Sequence, residues 1–336
     1  MASLARGVAE KMSLDTVLAG SGKKRRSLPP AFVVFALLAA VPLASTSIGT
    51  TYYVTLVSRI MIFGMAAIGL NLILGFGGLV SLGHALYIGV GAYAVGILTR
   101  YGIVDLGSHL VVTIAISSVI AGGIGWVSLR TRGLGFIMIT MAFGQMFYFL
   151  AISLKIYGGD EGLVIPSRSL VAGTHLLDQP TVLYYVVFAI LALVTGAIHV
   201  LTTSPFGLVL SGARQNEQRL KTLGYSLLGY RLTAYVISAI ITGIAGCLLA
   251  NLTRFASPEY MSWTQSGILV VMIVLGGFAT TTGPLVGAVV ILLLEEILSS
   301  WTDHWMIIVG PLIVAIVLFA TKGIYGALVS ERGTDP

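Results

Sequence analysis

The sequence predicts an all-α fold, a polytopic transmembrane bundle of about ten helical spans with some helices broken at glycines. Three observations carry this. Only 10% of residues are charged and 57% are apolar, values that exclude a soluble domain and a disordered chain. The apolar residues are gathered in runs of roughly the twenty residues that cross a bilayer as helix. The basic residues alternate sides. With the N-terminus inside, the inner segments hold Lys23, Lys24, Arg25, Arg26, Arg130, Arg132, Arg214, Arg219, Lys221, Arg231, Lys322 and Arg332. The outer segments hold only Arg100, Lys155, Arg168 and Arg254, mixed with Asp105, Asp160, Glu161, Asp178, Glu259 and Asp303. One orientation therefore satisfies every span, with both termini cytoplasmic.

Taken in order, residues 1–28 form a cytoplasmic N-terminal segment. Its basic cluster at 23–26 and the pair Pro29-Pro30 precede a short apolar run. That pattern fits a signal peptide or a short first span with a cytoplasmic anchor, and the anchored span is the preferred reading. The expected spans cover residues 31–47, 52–74, 79–99, 109–129, 134–156, 182–201, 232–252, 267–278, 283–299 and 305–321. The eighth and ninth can also be read as one broken hairpin. The permease domain so defined spans residues 29–322, and residues 323–336 form a cytoplasmic tail. Two aqueous segments are long. Residues 157–179 lie outside and carry Gly158-Gly159-Asp160-Glu161-Gly162. Residues 202–231 lie inside, bounded by Pro205 and Gly224, with leucines spaced for short helices. An ordered inside loop of that length suggests a docking site.

The stretch 69–96 departs most from a plain span. Gly75, Gly77 and Gly78 interrupt it, and clustered glycines cost helix stability while permitting unusual backbone angles. Irregular backbone at membrane depth survives only if it is buried in protein or lines a cavity. From Ser81 helical spacing is expected to resume with two faces. Ala85, Gly89, Ala92 and Gly96 form a small-residue stripe suited to close helix packing. Ser81, His84, Tyr87 and Gly91 form a second face, either lining a path or holding an interhelical hydrogen-bond cluster. In the fifth span Thr140, Gly144 and Tyr148 share a face, with Gln145 beside them. Leu74-Gly75-Phe76-Gly77 is echoed by Leu275-Gly276-Gly277-Phe278, a repeat of the kind transporters are built from.

The chemistry-bearing residues are sparse. No phosphate-binding G-x-x-x-x-G-K-[ST] run is present, so no nucleotide site is expected, and Leu210-Ser211-Gly212-Ala213 without one is a decoy. Single Cys247 allows no disulfide within the chain. Nothing resembles a metal cluster or a nucleophile with its base, so no catalytic residue, metal or resident cofactor is expected. The net charge of +6 reflects orientation rather than nucleic-acid binding. Asn251-Leu252-Thr253 fits a glycosylation pattern but sits at a span end, and is discounted. Arg59 lies inside the second span and either pairs with an acid or snorkels outward. Glu295 and Glu296 lie near the outer end of the ninth span.

Several runs then resemble one family. GLNLILGFGGLVSLGHALYIGVGAY at 69–93, TMAFGQMF at 140–147, GGDEGL at 158–163, SPFGLVLSGARQNE at 204–217, LGYSLLGYRLTAYVISAIITGIAGCL at 223–248 and VLGGFATTTGPLVGA at 274–288 resemble branched-chain amino acid ABC-transporter permeases. The resemblance covers nearly everything after Tyr52, in order. It implies a bacterial inner-membrane subunit that pairs with a second permease, two cytoplasmic ATPases that use the ATP, and a periplasmic binding protein, with membrane lipid around it. It also puts Glu217 to Gly224 in the place of the ATPase-docking helix. Where the family's fifth span usually carries an acid and a base, this chain has Gln145 and Tyr148. Relatives in the family carry urea, short amides or aromatic acids as well as branched-chain amino acids.

The expected substrate path is Ser81, His84, Tyr87, Thr140, Gln145 and Tyr148. The expected coupling residues are Glu217, Arg219, Leu220, Lys221, Leu223 and Gly224, with Leu220 and Leu223 as an apolar face for a groove on the ATPase. An ion-coupled secondary transporter is the alternative; it would require a coupling carboxylate near the middle of a span.

Overall fold

The computed structural model describes residues 34–42, 51–171, 173–301, 307 and 310–311. The N-terminal segment, most of the first and tenth expected spans, and the tail lie outside them. The chain divides into two compact units, Met1–Leu37 and Leu38–Pro336. Of the first, residues 34–37 are described and helical.

The larger unit is a helical bundle. Helix α1, Tyr52–Asn71, continues as a π-helical turn over Leu72–Phe76. Then follow α2 (Leu86–Arg100), α3 (Leu106–Ser128), α4 (Leu134–Ser153), α5 (Pro180–Thr203), α6 (Pro205–Gln215), α7 (Glu217–Thr222), α8 (Leu227–Thr253), α9 (Trp263–Gly276) and α10 (Gly283–Ser299). Five of these, α1 with its π turn, α3, α4, α5 and α8, are long and apolar enough to span a membrane. Helices α2 and α9, of 15 and 14 residues, are apolar but short. At 1.5 Å per residue they cover only about three quarters of a 30 Å hydrocarbon core. Each adjoins irregular backbone, as discontinuous helices do.

Helices α1 and α8 sit at the centre, and the faces of α3, α4 and α5 that are apolar yet exposed turn outward. At one end a layer of loops is stitched across the bundle. Strands β1 (Leu163–Val164) and β2 (Phe255–Ala256) pair antiparallel. His109 Nε2–H donates to Ile103 O at 2.8 Å, leaving Nδ1 to accept from the Ser169 hydroxyl at 2.7 Å. Asn251 is buried; its carbonyl Oδ1 accepts from Ser169 N–H and its amide donates to Cys247 O. A side chain so engaged is no glycan acceptor. Arg59 pairs with Glu295 at 3.1 Å, joining α1 to α10; of the two readings open for Arg59, the pair is the one adopted.

One boundary is corrected. Helix was expected from Ser81, yet α2 begins at Leu86. Residues 77–85 stay irregular because the backbone there is held by other partners. Leu79 N–H bonds back to Ile73 O at 2.9 Å, and Ala85 N–H donates to the buried Ser266 Oγ of α9 at 2.9 Å. Gly83 lies so close to α4 that a Cβ there would sit 1.9 Å from Thr140 O.

Candidate functional site

The two glycine-rich echoes meet in space. Gly75, in the π turn, leaves room for Ala279 of the 277–282 turn: a Cβ on Gly75 would lie 2.8 Å from Ala279 N. Asn71, at the junction of α and π geometry, donates from Nδ2 to Thr280 O at 2.8 Å. Single π turns and broken helices are both features concentrated at functional sites. Sequence reasoning passed over Asn71, although a lone amide inside an apolar span just before a break was a signal.

The face expected at Ser81, His84 and Tyr87 is fully buried. Ser238 O–H donates to Gly69 O, so its lone pairs are left to accept from His84 Nε2–H at 2.7 Å. That fixes the histidine tautomer and leaves Nδ1 as a buried acceptor without a protein partner. Tyr87 O–H reaches Tyr235 Oη at 3.3 Å, with Ser81 beside the same Tyr235 hydroxyl. The rings of His84, Tyr87, Tyr235 and Phe136 meet edge to face at 5.2–6.3 Å between centroids, a favourable aromatic geometry. Tyr235 and Ser238 were missed; their spacing of three on the seventh expected span puts both on one helix face. Thr140 turns its hydroxyl back to Phe136 O and Ile137 O, at 3.0 Å each. It meets the irregular segment through its carbonyl beside Gly83, not through its hydroxyl.

Gln145 and Tyr148 lie elsewhere. They line a polar cavity of about 360 Å³ together with Asp160, Ser257, Glu259 and Thr264. The Gln145 Nε2 donor is buried there without a protein acceptor. The candidate path therefore falls into a buried aromatic plug and a separate polar cavity at the end carrying the 157–179 loop. Asp160 and Glu259, which the sequence placed only in outer loops, supply that cavity's carboxylates.

The small-residue stripe also takes a different partner from the one expected. Cβ atoms added at Gly89 and Gly96 would meet side chains of Met261 and Leu163, at 2.2 and 2.6 Å. The close helix contact lies instead on the Gly91 face. There a Cβ would approach Gly243 O to 2.0 Å, and one on Gly246 would approach Ile88 O to 2.0 Å. Gly91 was read as part of the polar face, because spacing alone does not tell which small residue meets backbone. Ala85 and Ala92 are buried with the stripe.

The 202–231 loop is ordered. Helix α7 opens with Asn216 Oδ1 accepting from Arg219 N–H at 3.0 Å, a side-chain N-cap. It closes at Gly224, φ +87°, with Tyr225 N–H to Leu220 O and Gly224 N–H to Lys221 O, the Schellman arrangement that favours glycine. Glu217 pairs with Arg132 at 2.8 Å, Lys221 at 2.9 Å and Arg231 at 3.2 Å. Burial alone would raise this carboxyl, but Lys221, Arg231 and Arg132 together hold it below its ordinary range. Leu220 and Leu223 do not share a docking face. Leu220 packs inward on Val209, Ala213 and Leu227, while Leu223 is 65% exposed, as are Leu208 at 67% and Tyr225 at 42%. From α6, Arg214 reaches up to Gly75 O at the end of the π turn and stacks over Phe278. One side chain thus ties the loop to both broken helices.

A family model described as "Branched-chain amino acid transport system / permease component" matches residues 52–317. Curated relatives include the high-affinity branched-chain amino acid transport system permease protein LivM of Salmonella typhimurium, 25% identical over 294 residues, covering 81% of this chain and 69% of the relative. The protein of that name in Escherichia coli is 27% identical over 289 residues, covering 79% and 68%. The probable branched-chain amino acid transport permease protein LivM of Methanocaldococcus jannaschii is 28% identical over 296 residues, covering 74% and 83%. No solved structure matches the chain.

Proposed function

Because this chain belongs to the branched-chain amino acid transport permease family, we propose that it is the translocating membrane subunit of an ABC importer in a bacterial inner membrane. It carries a branched-chain amino acid or a related small solute, and ATP is hydrolysed on a separate subunit. A second permease subunit, two cytoplasmic ATPase subunits and a periplasmic binding protein complete the assembly.

The observation that carries this reading is the fastening of the inside loop to the broken helices through Arg214 and Gly75 O. Work done on one end of a protein moves the other only through contacts that differ between two states. Helices α6 and α7 pack with the start of α8 around Val209, Ala213, Leu220, Leu227 and Tyr230, and Glu217 fastens that body through Lys221, Arg231 of α8 and Arg132 of the 130–132 turn. Arg214 joins that body to the π turn. A cationic side chain at the carbonyl end of a helix is favourable in itself. Here it also gives a docked ATPase a handle on the segment 77–85, which seats the aromatic plug. The polar cavity at Gln145 and Tyr148 serves as the outer vestibule. Its buried amide donor suits a solute carboxylate or carbonyl, and its carboxylates suit an ammonium or amide N–H.

An ion-coupled transporter needs an intramembrane carboxylate free to change its protonation. Among the described residues the five long spanning helices carry no carboxylate, and the two acids of α10, Glu295 and Glu296, are held by Arg59 and by the Tyr52 hydroxyl.

The test is Leu223→Asp in the reconstituted complex. Leu223 is exposed and outside the loop's own core, so the loop should fold while ATPase pull-down and solute-stimulated hydrolysis fall. Normal pull-down and parental uptake in that variant would overturn the coupling assignment. Leu220→Asp is the contrasting control, expected to unfold the loop itself.

A further inference from the structure

Where α3, α7 and α8 come together, the 130–132 turn and the start of α8 enclose a cavity of about 460 Å³. Its floor is Leu129 and Leu227, both buried at helix ends. Arg130, Arg132, Lys221 and Arg231 face it against the single carboxylate of Glu217. Three of those cations already share Glu217, so one negative charge is divided among them and a surplus of positive charge remains. Arg231 has the least exposed of these side chains, and its Nε–H is buried without an acceptor. A buried guanidinium donor left unpaired is costly, and an anion supplied from outside would satisfy it.

The surroundings say which anion. Arg130 stacks on the Trp126 ring at 3.9 Å, and Trp126 is half exposed at the last turn of an apolar spanning helix. A tryptophan there marks the level of the lipid headgroups. Val127, Leu134 and Leu228 are exposed around the same end, a rim suited to acyl chains. Basic pockets between helices at this depth suit the phosphate of an anionic lipid. We infer that this cavity binds the headgroup of an anionic phospholipid, with the phosphodiester among Arg130, Arg132 and Arg231 and the chains along Trp126 and Leu228. The inference rests on the membrane-spanning family fold; Glu217 and Lys221 of the coupling loop also line the cavity, so the test separates lipid from ATPase.

The full chain, purified in mild detergent with equal phosphatidylglycerol and phosphatidylcholine, is examined by native mass spectrometry. One phosphatidylglycerol per chain should be retained, with a preference of about tenfold. The double variant Arg130→Gln with Arg132→Gln should lose that preference, while Lys155→Gln, at the other end, should keep it. Inorganic phosphate should not displace the lipid. Equal retention of both lipids overturns the site. So does a double variant that still selects phosphatidylglycerol, or displacement by millimolar phosphate, which would mark a free-anion site. Displacement of the lipid by added ATPase would assign the cavity to that subunit and also overturn it. Should the double variant fail to fold, photo-crosslinking of a diazirine phosphatidylglycerol to the parent chain decides. Adducts must fall within residues 126–134 and 225–231, and adducts confined elsewhere overturn the proposal.

Discussion

His84 and Gln145 are both polar side chains in apolar helical context, yet their surroundings assign them opposite behaviour. His84 is enclosed by Tyr87, Tyr235 and Ser238, so His84→Ala leaves a hole and an orphaned serine. A loss of about 2–4 kcal/mol is expected, read as a lower melting temperature of the complex in detergent along with reduced uptake. Gln145 faces the outer cavity with its amide donor free of protein partners. Gln145→Leu should therefore leave the melting temperature near the parent value and lower uptake alone; equal melting losses in the two variants would refute the division. Glu217 gives a pH dependence of known sign. Its carboxyl is held below the ordinary 4.5, so its contribution is complete above that value and is lost as pH falls through the folded-state value. A spin label at Gln215 should keep its mobility down to about pH 5 and loosen only below the ordinary range. Glu217→Gln should show the looser spectrum at neutral pH, at a cost of about 1 kcal/mol for these partly exposed pairs.

Between elements, the decisive contacts are backbone to backbone, and these were the hardest to read in advance. Spacing identified a stripe of small residues on α2 but not which small residue meets a main chain. Gly89 faces the flexible Met261 side chain, whereas Gly91 faces the Gly243 carbonyl. A methyl at Gly89 needs the buried Met261 side chain to repack, since its Cγ would lie 2.2 Å away; a methyl at Gly91 must push the backbones of α2 and α8 apart. Gly91→Ala should cost about 1–3 kcal/mol and impair assembly, with Gly89→Ala costing less. The reverse order, measured by melting of the purified complex, would restore the stripe as the packing face. The helix start at Leu86 was likewise illegible, because the partners that hold 77–85 irregular, Ser266 and Thr140, are distant in sequence. The end of α7 was legible at Gly224, which the sequence marked as a bound, because a C-cap is local; its N-cap, Asn216, is equally local but was passed over. The ninth expected span, by contrast, coincides with α10, since Pro284 at its start and a continuous apolar run define it locally.

At the scale of the molecule, the bundle was legible because the bilayer imposes length and apolarity on each span. The orientation rests on a different signal, the distribution of charge. The two ends of the described bundle differ in that respect. One carries Arg130, Arg132, Arg214, Arg219, Lys221 and Arg231 with Glu217. The other carries Asp105, Asp160, Glu161, Asp178 and Glu259 beside Arg100, Lys155, Arg168 and Arg254. The positive-inside rule predicts that the 202–231 loop is cytoplasmic and the 157–179 loop outside. Docking of an ATPase requires the same orientation, so topology tests the functional proposal without presupposing it. Gln215 and Glu161 are both exposed and lie in these two loops. Glu161 is a better position than its neighbour Gly162, whose φ of +80° and close approach to Phe255 and Ala256 resist a side chain. After Cys247→Ala, Glu161→Cys should react with a membrane-impermeant maleimide in intact spheroplasts. Gln215→Cys should react only after the membrane is opened. Arg214 then provides the link between the two faces: Arg214→Ala removes a charge-assisted bond worth about 1.5–3 kcal/mol while leaving the α7 surface and Leu223 in place. The complex should still retain its ATPase and basal hydrolysis, but solute should no longer stimulate that hydrolysis and uptake should fall. Labelling of Gln215→Cys from outside, or full stimulation in Arg214→Ala, would separate the inside loop from the broken helices and remove the basis of the coupling proposal.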